Sequence, residues 1–171
     1  KSTAKEAIYA VLSRKFWVRK NEENYNNEFG VSLGILGIKP RDLAKKYGPI
    51  NYIGYWLSAI GLSAWLAYGW SVQKYPKMLV LELAADRPGD IQYLVDIVQP
   101  QVGVVTAVGE VPVHVEFYAN PEAVATEKGK LIEQLPANGL AVLNYDDQTV
   151  LDMKERSKAK VITFGFANPH L

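Results

Sequence analysis

Apolar side chains at Ala7, Ile8, Val11, Leu12 and Phe16 recur at helical spacing, so the chain opens on an amphipathic helix. Trp17, Val18 and Arg19 then read as a short strand, and Asn21 to Asn27 as a polar, asparagine-rich loop leading into a helix near Phe29 to Leu36. The later half is more regular. Met78 to Leu83 is an apolar run of strand length, Pro88 to Val98 has helical spacing with proline at its start, and Val102 to Val108 is another strand. Pro121 to Leu135 predicts a helix, Leu140 to Leu143 a strand, Asp147 to Ser157 a helix and Val161 to Phe164 a strand.

Strands alternating with helices imply βαβ units and a doubly wound α/β domain, with a mainly parallel sheet covered by helices on both faces. In such sheets ligands bind outside the carboxyl ends of the strands. That edge should hold Glu82, the loop carrying Glu110 and His114, and Asn144 to Asp147, with Lys1 and Ser2 at the start of a crossover helix.

One stretch breaks the alternation. Between Lys46 and Lys74 there is no charged residue, and Tyr52, Tyr55, Trp56, Trp65, Tyr68 and Trp70 fall within it. Its length and apolar character would suit a membrane-spanning helix. Asn51, Ser58, Ser63 and several glycines oppose that, as does a position inside an α/β unit, where a spanning helix would tear the sheet from its crossover. The favoured reading is an inserted helical hairpin, residues 39–77, that packs on the domain or a partner; membrane contact is the lesser alternative.

At 171 residues the chain fits one domain, residues 1–171, with a full core. A net charge of +1 with acids and bases interspersed leaves no electrostatic footprint for nucleic acid. The absence of cysteine excludes disulfides and thiolate metal sites.

The opening run Lys1-Ser2-Thr3-Ala4-Lys5-Glu6 reads as a phosphate-binding loop cut just after its last glycine. In the full motif, backbone N–H groups and a helix N-terminus hold phosphates, the lysine meets the terminal phosphates and the hydroxyl ligates Mg²⁺. Glu82, after an apolar strand, is either a solvated strand-end acid or a Mg²⁺ ligand facing bound phosphates. His114, one of two histidines, is either a surface residue or a metal ligand. Lys128 reads by itself as a solvated helix lysine that pairs with acids of its own helix. Turn preference and helix capping already account for Asn144, Asp146 and Asp147.

The segments KSTAKEAI, ENYNNEFGVSLGIL, LELAADRPGDI, HVEFYANPEAVATEKGKLI and LNYDD, in this order, resemble the central domain of the Mur ligases, most closely the type that adds D-alanyl-D-alanine to a muramyl tripeptide. The resemblance implies a P-loop α/β fold and an ATP-dependent amide ligase of peptidoglycan precursor synthesis. It also implies a cytoplasmic location. ATP and Mg²⁺ would be its cofactors, and a UDP-muramyl peptide and D-alanyl-D-alanine its substrates. On that likeness Lys1 and Lys128 are catalytic, Lys1, Ser2, Thr3, Asn24, Asn26 and Asn27 bind nucleotide or lie beside it, and Ser2, Glu82, His114 and a carbamylated Lys128 bind metal. The resemblance further implies separate flanking domains, so the present chain alone is expected not to catalyse ligation. A related ligase of the folylpolyglutamate or cyanophycin type, and a non-catalytic scaffold whose insertion binds a membrane or partner, are the competing readings.

Overall fold

The computed structural model describes residues 2–21, 25–38, 60–61, 75–108 and 117–167. The chain forms two compact units, Lys1–Glu82 and Leu83–Leu171.

In the first unit, α1 (Ser2–Leu12) leads to β1 (Val18–Lys20), followed by α2 (Glu28–Leu36) and β2 (Met78–Val80). The two strands pair in parallel, Val18 opposite Met78 and Lys20 opposite Val80. Helix α1 is shorter than its apolar spacing predicts, stopping before Phe16, and Val11 is 71% exposed. The residue of α1 that is buried is Lys5. Helix α2 is sharply delimited. The Asn27 side chain accepts from the Gly30 N–H at its start. At its end Gly37, at φ 73°, lets the Ile38 N–H reach back to the Leu33 carbonyl at 3.0 Å.

The second unit contains α3 (Asp90–Val98), β3 (Val102–Val105), α4 (Pro121–Glu133), β4 (Leu140–Asn144), α5 (Gln148–Leu151) and β5 (Lys160–Phe164). Its three strands run in parallel in the order β3-β4-β5, with α4 and α5 in the crossovers. Ala141 and Leu143 on the central strand, Ile132 on α4 and Val150 on α5 are fully buried, and Leu135 nearly so. Burying a side chain of that size contributes about 1.5–3 kcal/mol, so this layer between sheet and helices is where the unit's stability resides.

The α/β class and the parallel pairing are those the sequence predicts. Where one helix is expected over Asp147–Ser157, α5 lasts a single turn and passes into a 3₁₀ helix, Asp152–Arg156, that seats Met153 in the core. The aromatic segment lies outside the described residues apart from Ile60, Gly61 and its end at Tyr75–Lys77. Among the described residues no helix is long and apolar enough to cross a membrane.

Candidate functional site

In the first unit a polar cluster forms where β1 and β2 end. Asn21 follows β1 directly and is 1% exposed. Its Oδ1 accepts from the Glu82 N–H at 3.0 Å, and its Nδ2 donates to the Glu82 carbonyl at 3.1 Å. The same Nδ2 also donates to the Tyr25 carbonyl. The side-chain amide thereby carries the parallel ladder onward after strand pairing stops at Lys20 and Val80.

Glu82, thus fixed, has a side chain only 9% exposed. Its Oε1 accepts from Asn26 Nδ2 at 3.2 Å. Its Oε2 is buried and has no hydrogen-bond partner among the described residues. The nearest described cation is Lys5, whose Nζ lies 4.0 Å from that oxygen. Lys5 is itself 3% exposed along its side chain; it donates to the Asn21 carbonyl at 3.0 Å and lies 3.7 Å from Glu6 Oε1. A buried carboxylate is costly without compensation. Here Lys5 supplies opposite charge but no hydrogen bond, which leaves one carboxylate oxygen with its lone pairs available to a cation. A hydrogen bond from Lys20 holds the Glu6 carboxyl below its usual range.

Ser2 and Thr3 sit exposed in the first turn of α1, and Asn26 is the loop asparagine that reaches Glu82. Asn27 serves as the α2 cap. Lys1, Asn24, Glu110 and His114 lie outside the described residues.

Lys128 belongs to the second unit. Its Nζ donates to the carbonyls of Ala107 and Val108, at 2.8 and 3.1 Å, just past the end of β3. No acid stands three or four residues from Lys128, so the helix pair expected of it does not arise there; Lys130 makes such a pair, donating to Glu127 at 2.7 Å. The Asn144–Asp147 turn ties down the same edge. Asn144 donates to the Thr106 carbonyl at 2.9 Å, and Asp147 accepts from the Val108 N–H at 3.0 Å while capping α5 through the Val150 N–H at 3.1 Å. Asp146 accepts from the Phe166 and Ala167 N–H groups at 2.8 and 2.9 Å. These acids cap helix and turn, as their types predict, and also join the ends of all three strands.

The sequence reading passed over two residues of the first cluster, Lys5 and Asn21. Lys5 stands one helical turn after Lys1, and Asn21 is the first residue after a strand. Neither position distinguishes a buried polar residue from a solvated one. Among the described residues no three His, Cys, Asp or Glu side chains group together as a metal site. A Mg²⁺ ion that takes most of its ligands from phosphate and water needs only one or two protein carboxylates, and the buried, partnerless Glu82 Oε2 fits that requirement.

Against known proteins, residues 57–171 match the family model described as the Mur ligase middle domain. The UDP-N-acetylmuramoyl-tripeptide–D-alanyl-D-alanine ligase of Synechocystis is 29% identical over 167 residues, 96% of this chain and 29% of that protein. The enzyme of the same name from Mycobacterium leprae is 35% identical over 100 residues, 57% of this chain and 19% of its own. The chain therefore spans less than a third of the length of these relatives. Among solved structures, MurF ligase from Thermotoga maritima in complex with ADP superposes with a TM-score of 0.68 at 28% identity, covering 98% of this chain and 30% of that one.

Proposed function

Because the chain belongs to the Mur ligase family, whose middle domain it carries, we propose that it is the ATP-using core of a peptidoglycan-precursor ligase that joins D-alanyl-D-alanine to a UDP-muramyl tripeptide. In that reaction the tripeptide's terminal carboxylate oxygen attacks the γ-phosphorus of ATP, giving an acyl phosphate and ADP. The amine of D-alanyl-D-alanine then attacks the acyl carbon, phosphate leaves with the C–O electron pair, and the amine proton passes to solvent. A relative bearing that name along 96% of this chain supports the choice of substrates.

The observation that carries the reading is Glu82, at the carboxyl end of a parallel strand, with one oxygen held by Asn26 and the other buried with no hydrogen bond from any described residue. Glu82 and Ser2 would hold Mg²⁺, which supplies charge neutralisation of the transferring phosphoryl group, and the family likeness adds His114 and a carbamylated Lys128 as metal-binding residues. The exposed first turn of α1, with Ser2 and Thr3, offers backbone N–H groups to phosphate, and Lys1 offers its charge. Asn24, Asn26 and Asn27 line the loop assigned to the nucleotide side. Lys128 would have to exchange its bonds to the Ala107 and Val108 carbonyls for the carbamate, since carbamylation removes the ammonium that makes them. A cytoplasmic location follows from dependence on ATP and a UDP-linked substrate.

The test is phosphate release by the full-length protein. Release should require ATP, Mg²⁺, a UDP-muramyl tripeptide and D-alanyl-D-alanine together. No release with any UDP-muramyl peptide across a panel of amine acceptors overturns the reading. Lys128→Ala should abolish release, with partial rescue by a short carboxylic acid; full activity in that variant removes the carbamate role.

A further inference from the structure

We propose that Asn21 is a positioning residue for the metal-binding carboxylate: its side-chain amide clamps the Glu82 backbone and so aims the unpartnered Oε2, with Lys5 locking Asn21 in turn. The inference rests on the metal role given to Glu82 above, and assigns to Asn21 and Lys5 the work of holding it.

The geometry is specific to this task. Strand pairing ends at Lys20 and Val80, two residues short of Glu82. Without further restraint Glu82 would stand on a free strand end and its side chain would sample several rotamers. Asn21 removes that freedom, accepting from the Glu82 N–H at 3.0 Å and donating to its carbonyl at 3.1 Å. An amide does both at once, whereas a carboxylate or hydroxyl of similar size cannot reproduce both bonds and the third one to Tyr25. The clamp is itself anchored, because Lys5 Nζ donates to the Asn21 carbonyl at 3.0 Å from a buried position. Gly34 lets the amide fit: a Cβ there would come within 3.0 Å of Asn21 Cβ. Tyr25, held by the same amide, immediately precedes Asn26, which binds the other oxygen of Glu82. Asn21 therefore restrains Glu82 from its backbone and from the loop that touches its carboxylate.

Groups that orient a metal ligand typically cost 10–100-fold in metal affinity when removed. The decisive measurement is Mn²⁺ affinity in the presence of saturating ADP, followed by electron paramagnetic resonance on the full-length protein, for Asn21→Ala, Glu82→Gln and the double variant. Asn21→Ala should weaken Mn²⁺ by about tenfold or more, and should add nothing once Glu82 is Gln. The Mg²⁺ concentration giving half-maximal phosphate release should rise in parallel. Unchanged Mn²⁺ affinity in Asn21→Ala overturns the proposal, and so does an equal loss in the Glu82→Gln background, which would mark a general folding role. Should Glu82→Gln itself leave Mn²⁺ binding intact, the metal role of Glu82 fails and the proposal falls with it. If only Asn21→Ala is silent, that role survives. A measurement on the unaltered protein covers the case in which Asn21→Ala does not fold: the Glu82 amide should exchange with solvent as slowly as amides within β2, and rapid exchange there overturns the clamp.

Discussion

The carboxylate of Glu127 on α4 accepts a hydrogen bond from the Ile91 N–H in the first turn of α3, at 2.9 Å, from a position 3% exposed. A side chain on one helix thus caps another helix 36 residues earlier in the chain. Burial pushes the Glu127 carboxyl up, but the hydrogen bond from Lys130 and the backbone N–H groups of Gly89 and Ile91 outweigh it, so the group is held below its usual value of 4.5. A depressed carboxyl contributes stability that is complete above the unfolded value and is lost as pH falls through the folded one. Thermal unfolding should therefore show a loss of stability setting in as pH drops below 4.5. Glu127→Leu should remove much of that dependence and, by leaving the Ile91 N–H uncapped, cost about 1–3 kcal/mol at neutral pH. An unchanged melting temperature in Glu127→Leu would contradict this.

Tyr118 makes the opposite prediction. Its hydroxyl is buried with no hydrogen-bond partner among the described residues, and burial, followed by the nearby charges of Glu127, Asp90 and Asp86, pushes the phenol up to about 12. A raised acid contributes stability that is complete below the unfolded value of 10 and is lost as pH climbs to about 12. Ultraviolet titration should show one tyrosine ionising late, and Tyr118→Phe should abolish that late step. Because the change removes an unsatisfied buried hydroxyl, Tyr118→Phe should be neutral or stabilising by about 1 kcal/mol. A clear destabilisation would show that the hydroxyl is satisfied.

Gly30 on α2 leaves no room for a side chain. A Cβ there would lie 2.4 Å from the Tyr25 backbone. Relief requires moving the main chain that leads to Asn26, so Gly30→Ala should destabilise by about 1–3 kcal/mol and also loosen the Asn26 contact to Glu82. Calorimetry checks the first effect. Mn²⁺ affinity checks the second, and a loss of stability without a loss of affinity would separate the two.

Asp147 joins the α5 cap to the Val108 N–H, beside the carbonyl that receives Lys128. Asp147→Ala should cost about 1–2 kcal/mol, as expected for loss of a helix cap, and should speed exchange of both the Val150 and Val108 amides. If only the Val150 amide responds, the link to the Lys128 edge is not maintained by Asp147.

Periodicity was enough to reveal most of the elements, because a helix or strand that buries one face must repeat its apolar residues at 3.6 or 2.0. Asn144 and Asp147 were readable for a related reason. Their turn and cap roles act within a few residues of themselves, so local composition carries the signal. Glu82 was readable as a strand-end acid, since its position follows from the strand before it.

The first helix shows where that reading fails. Its apolar residues promised the core, yet Val11 is 71% exposed and Lys5 is the buried residue of α1. Lys5 is buried because its partners, the Asn21 carbonyl and the carboxylate of Glu82, arrive from β1 and from the end of β2. The sequence by itself determined the α/β alternation, the Mur ligase likeness and the residue types on offer for phosphate and metal. Only the tertiary structure decided that Asn21 extends a strand ladder with its side chain, that Glu82 keeps one oxygen unpartnered, and that Glu127 caps a distant helix. The physical reason is burial: whether a polar side chain is solvated or enclosed depends on what packs against it from far along the chain, and no local pattern encodes that.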